Sequence, residues 1–310
     1  MCTRILWSTN KMATVVSRTM DWQVSDEPDL WKLPAGIERS GNAGPDSLTW
    51  TSRYASVALS MWRAGTVDGM NSAGLGAHAL YLDDAGWETP DTRPAVSNSM
   101  WVQYLLDNFG SVAEVVDAVP DTRIVSVPLR GHEMGAHLAI EDATGDSAII
   151  EPIDGRLVVH HGRELAVMAN APDYDEQLTN LARYRPFGGE LPPPGDISSL
   201  DRFVRASYFL HYLPEPANLE EAVAGVIRLA GNVAVPPGSP YQDGGVYPTW
   251  WTAGADLTNL TYYFWSAQSP NLTWVDHTVF AGTEIGSVNP RQQGLSGDIG
   301  EQFEKSELAY

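Results

Sequence analysis

Apolar and polar residues alternate through the first eighteen residues of the chain. This period of two runs through residues 3–9 and again through 12–18, and the pair Asn10-Lys11, which favours a turn, separates the two runs. Successive side chains of a strand point to opposite faces of a sheet. The pattern therefore predicts an opening β-hairpin, with residue 2 at the start of its first strand.

Strand-like and helix-like patterns follow in blocks along the rest of the chain. Short apolar or alternating runs predict further strands at residues 55–61, 75–82, 124–129, 136–141, 147–152, 157–161 and 165–169. Helical spacing, opened in several cases by a Ser, Asp or Asn cap, predicts helices at residues 97–109, 111–119, 175–184, 198–212 and 218–230. Strand patterns return at residues 249–256, 261–267 and 272–277. The polar segment from Gly294 onward is expected to form a peripheral helix or tail.

The order of these elements predicts the fold class. Strands, then helices, then strands again indicate an α+β protein with antiparallel sheets flanked by helices, rather than a parallel doubly wound sheet. The Pro-rich segments 191–195 and 235–238 are interpreted as loops, because regular patterns continue on both sides of them. We therefore expect a single domain over residues 1–310.

The charge balance excludes some classes of partner. Asp and Glu number 39 against 19 Lys and Arg, a formal net charge of -20, which disfavours nucleic acid and anionic membrane surfaces. No run of about 18 apolar residues predicts a membrane span. The N-terminus also lacks the pattern of a secretory signal, so a cytoplasmic location is expected, or a periplasmic one if an export signal preceded Met1.

The chain has one cysteine, and it stands at position 2. A single thiol forms no internal disulfide and no thiolate-rich zinc cluster. Removal of Met1, which is usual before a residue as small as Cys, would free an α-amino group that titrates near pKa ~7.7–8.0. An N-terminal Cys2 then carries both a nucleophile and its general base. The alternative interpretation is a small buried apolar side chain.

Such a nucleophile needs a cation near its sulfur and a group that holds its amine. Arg18 and Asp21 lie three residues apart on the second predicted strand. An antiparallel hairpin would bring this end of the strand back beside Cys2. The alternative is that the two side chains form a surface ion pair of little consequence.

Five segments of the chain, in this order and spread over nearly its whole length, carry a resemblance to a known family. They are residues 1–4 (MCTR), 17–22 (SRTMDW), 71–75 (NSAGL), 169–175 (ANAPDYD) and 198–206 (SSLDRFVRA). Together they resemble the choloylglycine hydrolase and penicillin V acylase family. The resemblance implies the N-terminal nucleophile hydrolase fold, a four-layer αββα sandwich of two stacked antiparallel sheets between helices.

Carried over position by position, the resemblance also implies roles for individual residues. The family's nucleophile matches Cys2, and its Arg and Asp near the sulfur and the amine match Arg18 and Asp21. The Asn that contributes to the oxyanion hole matches Asn170, and a further catalytic Arg matches Arg202.

One more family position, Asn in bile salt hydrolases and Tyr in some penicillin V acylases, matches Tyr81. Counting from the Gly74-Leu75 motif leaves His78 open as an alternative match. Tyr81 favours the acylase branch. Because aromatic side chains readily build a pocket for an acyl group, Trp22 and Trp87 are predicted to bind substrate.

The resemblance implies hydrolysis of a linear amide through a thioester, without a cofactor or metal, on a small-molecule amide. Penicillin V or another acyl amide is the expected substrate, and a conjugated bile salt is the alternative; the family also includes enzymes for N-acyl homoserine lactones. A catalytically inactive protein that binds acyl amides is the alternative of another class. A homo-oligomer, a dimer or tetramer, is a further expectation. The seven His residues show no Cys-His or zinc signature, and the Gly74 motif lacks a dinucleotide fingerprint.

Overall fold

The computed structural model describes residues 1–83 and 85–310. In chain order its strands are β1 (Cys2–Trp7), β2 (Val15–Asp21), β3 (Asp29–Leu33), β4 (Glu38–Ser40), β5 (Thr49–Thr51), β6 (Ser56–Ser60), β7 (Thr66–Asn71), β8 (Leu75–Leu80), β9 (Ala95–Ser97), β10 (Arg123–Val125), β11 (His137–Asp142), β12 (Ser147–Ile153), β13 (Arg156–His161), β14 (Val167–Met168), β15 (Thr249–Asp256), β16 (Thr261–Ser266), β17 (Leu272–Val275), β18 (Gly286–Val288), β19 (Gly297–Asp298) and β20 (Glu304–Lys305). The α-helices are α1 (Trp101–Asn108), α2 (Val112–Ala118), α3 (Tyr174–Leu181), α4 (Ser199–His211) and α5 (Leu219–Val233). Across the described ranges, no helix has the length and apolar character that a membrane span requires.

Two large sheets form the centre of the molecule. The first has the strand order β14-β1-β2-β15-β16-β17-β19, and the second has the order β13-β12-β11-β8-β7-β6-β3-β18-β20. Helix α1 packs on β7 and β8 of the second sheet, whereas α4 and α5 pack on β1 and β2 of the first. The layers are therefore helix, sheet, sheet and helix, and the predicted α+β fold of two antiparallel sheets flanked by helices is confirmed.

Apolar side chains fill each of the three interfaces between these layers. Ile5 and Met20 of the first sheet meet Leu59 and Ile149 of the second in the central interface. Separate clusters lie between the second sheet and α1, and between the first sheet and α5. Since both faces of each sheet are covered, polar residues on the central strands are buried too, and their partners must lie inside the protein.

The opening hairpin forms as predicted, with a longer turn. β1 and β2 pair in antiparallel register, Cys2 opposite Met20 and Trp7 opposite Val15. The side chain of Asn10 organises the connection: its oxygen accepts from the backbone N–H groups of Met12 and Ala13, and its amide nitrogen donates to two carbonyls. Side-chain bonds of this kind are why Asn favours turns.

The interpretation of the C-terminal segment as a peripheral helix or tail is wrong. β19 adds to β17 of the first sheet, and β20 adds to β18 at the edge of the second. The phenol of the last residue, Tyr310, lies 2.8 Å from the hydroxyl of Thr66, and its ring packs edge-on against Trp31. Edge strands form where a partner strand offers unpaired backbone groups, which the local sequence does not reveal.

Candidate active site

The hairpin sets Asp21 directly opposite the first residue of the chain. The backbone N–H of Asp21 donates to the carbonyl of Met1 at 2.7 Å, and the Met1 amine donates back to the Asp21 carbonyl. Cys2, one position further along β1, is 2% exposed. The register therefore brings together the ends of the two strands that carry Cys2 and Asp21, as the sequence predicted.

Arg18 supplies a buried positive charge at the sulfur. Its Nη2 lies 3.4 Å from Cys2 Sγ and donates to the carbonyl of Ala79 at 2.6 Å. Its guanidinium also stacks over the ring of Trp251, 4.6 Å from the centroid. Among the described residues, its Nε and Nη1 have no hydrogen-bond partner. Arg18 therefore places a buried positive charge with unused donors directly beside the sulfur.

Neither of the two carboxylates nearest Arg18 makes a hydrogen bond with it. Asp68 Oδ2 lies 3.9 Å from Arg18 Nε, and the oxygens of Asp26 accept from Trp251 Nε1 at 2.9 and 3.0 Å. Burial disfavours the charge on Arg18, but Cys2, Asp68 and Asp26 outweigh burial and raise the pKa of the guanidinium. Arg18 is therefore a buried cation.

Asp26 makes stability depend on pH in an unusual direction. Burial raises the pKa of Asp26 to about 6, against the opposing effect of the Trp251 hydrogen bond. Because the folded state binds this proton more tightly than the unfolded chain, stability falls as the pH rises from about 4 to 6. Two pH units correspond to about 3 kcal/mol at most.

We expect Asp26→Asn to remove this slope, because an amide accepts from Trp251 without ionising. Denaturant unfolding of both proteins between pH 4 and 7.5 is the measurement. The free energy of unfolding of the variant, relative to that of the wild type, should increase by about 1–3 kcal/mol between pH 4 and pH 7. Stability profiles with the same pH dependence in both proteins would show that ionisation of Asp26 does not lower the stability of the fold.

Asp21 and Arg202 surround the backbone of Cys2 on the side away from Arg18. Asp21 Oδ1 accepts from the Thr249 hydroxyl at 2.6 Å, and its buried Oδ2 accepts no hydrogen bond from the described residues. Arg202 Nη1 lies 3.6 Å from this oxygen and donates to the Cys2 carbonyl at 2.6 Å. A buried carboxylate oxygen with spare capacity is suited to receive an ammonium N–H.

The side-chain amide of Asn170 has a definite orientation. Its Oδ1 accepts from the Cys2 N–H and, at 2.9 Å, from Arg202 Nη2, and its Nδ2 donates to the Tyr81 carbonyl at 2.6 Å. Arginine is only a donor, so the oxygen must be the end that faces it. One amide hydrogen is directed at the Tyr81 carbonyl, which leaves the second for another acceptor.

Two residues behind Asn170 were not found by sequence reasoning. The Ser199 hydroxyl accepts from the Asn170 backbone N–H at 2.9 Å, and Gln177 Nε2 donates to the Asn170 carbonyl at 2.9 Å and to Ser199 at 3.0 Å. They hold the backbone from which the amide projects. Ser199 lies within one of the family-like segments, but nothing in the local pattern distinguishes it from a helix-start residue.

An apolar cavity opens beside Cys2 Sγ. The space inside it is about 70 Å³, and Cys2 and Arg18 are among its lining residues. Its larger side chains are Met20, Trp22, Met61, Val67, Leu80, Tyr81, Leu129 and Met134. The rings of Trp22 and Tyr81 meet edge to face at 4.8 Å between centroids. Its apolar wall suits an aryl or alkyl group.

A second, more polar cavity lies beside Met1 and Asn170. Met1, Gln23, Asn170, Tyr241 and Asp243 line it, and it shares Trp22 and Tyr81 with the apolar cavity. Met1 forms part of the wall of this second cavity.

Tyr81 and His78 are the two candidate matches counted from the Gly74-Leu75 motif, and they lie in different places. Tyr81 lies in the cavity wall, and its carbonyl accepts from Asn170. His78 lies inside the sandwich, between the carboxylates of Asp68 and Glu141. The geometry thus places Tyr81, rather than His78, beside Cys2.

Trp87 lies away from the site, and its predicted place in the substrate pocket is corrected here. Its ring packs edge-on against Trp101 of α1 at 6.3 Å, within the core on the outer face of the second sheet. Gly86, the residue before it, donates to the Pro152 carbonyl and accepts from the Gly155 N–H, so Trp87 lies on the opposite face of the sheet from the cavity. The remaining predicted residues converge: Cys2, Arg18, Asp21, Trp22, Tyr81, Asn170 and Arg202.

Comparison with known proteins gives matches over most of the chain. Residues 2–280 match the family model described as linear amide C–N hydrolases, choloylglycine hydrolase family. A penicillin V acylase from Pectobacterium atrosepticum is 37% identical over 304 residues, covering 89% of this chain and 80% of the relative. A bile salt hydrolase/transferase from Bifidobacterium longum is 24% identical over 301 residues, covering 87% of this chain and 93% of the relative.

A solved structure also matches over almost the whole chain. The penicillin V acylase from Agrobacterium tumefaciens superposes with a TM-score of 0.89 at 37% identity, covering 99% of this chain and 98% of the other. The similarity therefore extends through both sheets and all helical layers.

Proposed function

Because the chain belongs to the choloylglycine hydrolase family of linear amide C–N hydrolases, we propose that it is an acylase of the penicillin V acylase type with Cys2 as its nucleophile. The observation that carries the proposal is the position of Cys2 Sγ, 3.4 Å from a buried guanidinium and at the end of an apolar cavity. The two penicillin V acylases at 37% identity support this branch over the bile salt hydrolases.

Removal of Met1 is the first requirement of the proposed mechanism. It converts the nitrogen of Cys2 from an amide, which cannot accept a proton, into an amine beside Asn170 Oδ1 and near Asp21. Burial already lowers the pKa of the Met1 α-amino group in this surrounding. An α-amine whose pKa lies below its usual value is better suited to act as a general base.

Acylation is the next step, and the amine of Cys2 carries the proton through it. The Cys2 amine takes the thiol proton, and Arg18 stabilises the thiolate, which attacks the amide carbonyl. The remaining Nδ2 hydrogen of Asn170 donates to the oxyanion of the tetrahedral intermediate. The intermediate collapses to a thioester as the C–N bond breaks, and the Cys2 ammonium returns its proton to the leaving amine.

Deacylation uses the same groups in reverse. The Cys2 amine takes a proton from water as the water attacks the thioester, and the same oxyanion donors act again. The carboxylic acid leaves, and the proton returns to the sulfur. Asp21 and Arg202 hold the backbone and amine of Cys2 throughout, so one nitrogen serves as base and acid in both halves of the reaction.

The acyl group is proposed to lie in the apolar cavity, against Trp22 and Tyr81. A phenoxyacetyl or fatty-acyl chain suits a wall of Met, Leu and aromatic side chains with few polar groups. The polar cavity beside Asn170 and Tyr241 would take the amine product. Assembly into a dimer or tetramer and a cytoplasmic location stay predictions.

Parallel assays of penicillin V, glycocholate and a long-chain acyl homoserine lactone test this proposal. We expect penicillin V to give the highest kcat/KM, by at least about tenfold, since one or two poorly filled groups in a pocket cost that much. Intact mass must show loss of Met1, and Cys2→Ala protein is the blank. Faster cleavage of glycocholate would assign the chain to the bile salt branch, and silence on all three would favour a role in binding only.

A further inference from the structure

A chain of buried charges runs through the middle of the sandwich and ends at Arg18. It passes from one sheet to the other and back, through Arg4 on β1, Glu141 on β11, His78 on β8, Asp68 on β7 and Arg18 on β2. Each of these side chains is at most 2% exposed. The signs alternate along the chain, and the sulfur of Cys2 stands next after Arg18.

The far end of this chain is tightly satisfied. Arg4 contacts Glu141 through two nitrogens, Nε at 2.9 Å, and donates to Ser147 and to the Leu165 carbonyl. His78 Nε2 lies 2.5 Å from Glu141 Oε1. Burial opposes charge at both groups, but the partners prevail: they lower the pKa of Glu141 to about 2 and raise the pKa of His78 to about 9.

Asp68 is engaged on both of its oxygens by groups other than Arg18. His78 Nδ1 lies 2.7 Å from Oδ2, and the Tyr262 hydroxyl donates to Oδ1 at 2.5 Å. Burial and the Asp68 carboxylate raise the pKa of Tyr262 well above its usual value, so this phenol stays a donor. Arg18 Nε, in contrast, stands 3.9 Å away, beyond hydrogen-bond distance.

The other nearby carboxylate is held in the same way. Asp26 accepts from Trp251 Nε1 with both oxygens, while Arg18 stacks on the face of that ring. Arg18 is thus a buried cation between two carboxylates, neither of which makes a close pair with it. Left unrestrained, a buried guanidinium and a carboxylate at this distance would close to a bidentate pair.

We propose that His78 and Tyr262 are positioning residues that hold Asp68 back from Arg18, so that the charge of Arg18 stays directed at the sulfur of Cys2. This rests on the proposed nucleophilic role of Cys2. Neither side chain touches the cavity. They act through Asp68 and Arg18, and their effect is on the fraction of Cys2 present as thiolate.

The mechanism predicts shifts of opposite sign for two substitutions. Tyr262→Phe releases one oxygen of Asp68, which can then approach Arg18 and compete with the sulfur, so the thiolate forms at higher pH. Asp68→Asn removes the competing charge, so the thiolate forms at lower pH. For charges at this separation inside a protein we expect shifts of about half to one pH unit.

The measurement is the rate of alkylation by iodoacetamide between pH 5 and 10, followed by intact mass on protein freed of Met1. Cys2 is the only thiol of the chain, and Cys2→Ala protein treated in parallel gives the background alkylation of amines. The midpoint of the pH–rate profile should rise for Tyr262→Phe and fall for Asp68→Asn. Because no substrate is used, the result stands even if the proposed acylase activity is not found.

Tyr263→Phe is the matched control. Tyr263 is the next residue of β16, half-buried, with its ring near Trp274 on the other face of the sheet. This substitution also removes one tyrosine hydroxyl, and the midpoint of the pH–rate profile should equal that of the wild type. Far-UV circular dichroism of each variant checks that the fold is retained.

The double variant Asp68→Asn with Tyr262→Phe separates the proposed path from a general loosening of the core. If Tyr262 acts through Asp68, the double variant has the midpoint of Asp68→Asn alone. An unchanged midpoint in Tyr262→Phe, or the same upward shift in the double variant, would overturn the proposal. If Asp68→Asn does not fold, the comparison of Tyr262→Phe with Tyr263→Phe still tests the proposal, because the midpoint should rise only in Tyr262→Phe.

Discussion

Cys2→Ala protein, folded and freed of Met1, is expected to lose about 10⁴- to 10⁶-fold in kcat/KM on the amide that the wild type cleaves best. Removal of the nucleophile abolishes the covalent path, and what remains is the modest rate supported by the oxyanion donors and binding alone. Cys2 is buried but makes no structural cross-link, so the variant should keep its fold. Steady-state kinetics and circular dichroism are the measurements.

A second form of this experiment keeps the thiol and removes only the base. A fusion with a protease-removable segment directly before Cys2 leaves the nitrogen of Cys2 in a peptide bond, where it cannot take a proton. We expect a loss of similar size before cleavage and full activity afterwards. Turnover by the uncleaved fusion would show that the base is another group.

Asn170→Ala is expected to lower kcat by about 10²- to 10³-fold, which corresponds to the ~2.7–4 kcal/mol typical of one oxyanion donor. The structure adds a second reason, because Asn170 Oδ1 also accepts from the nitrogen of Cys2 and from Arg202. KM should change much less than kcat, since the interaction is strongest in the transition state. Steady-state kinetics on penicillin V measure both constants.

Ser199→Ala is the comparison for this prediction. It removes the acceptor of the Asn170 backbone N–H but leaves the side-chain amide in place. We expect a loss of less than about tenfold. Equal losses in the two variants would indicate that the geometry of the loop, rather than the donor on Asn170, limits the reaction.

The structure brings the predicted site residues together, with the exception of Trp87. The sequence signal that indicated each residue differs. Arg18 and Asp21 could be placed from local pattern alone, because a hairpin returns its second strand to the start of its first. Asn170 and Arg202 come from distant segments, and only their resemblance to family motifs indicated them. Trp87 was assigned by residue type, which does not say which face of a sheet a side chain reaches.

Strands that the sequence did not predict lie in the middle of the second sheet. β3 (Asp29–Leu33) is short and flanked by prolines, and β7 (Thr66–Asn71) contains Asp68 and Gly69, which have low strand propensity. Asp68 is tolerated on a buried strand because His78 and Tyr262 bond to its carboxylate. Those partners come from two other strands, one of them in the other sheet.

By itself the sequence determined the hairpin, the α+β class, the main helices and the family, and it indicated Cys2 as the candidate nucleophile. Each of these depends on a periodicity, on the order of the elements or on short motifs. Only the tertiary structure decided that Arg4, Arg18 and His78 are buried, that the amide of Asn170 turns its oxygen to Cys2, and that Asp68 stands away from Arg18. These features depend on contacts between strands far apart in the chain. The polar positions of the opening hairpin look like a solvated face, and they become an internal chain of charges because a second sheet covers them.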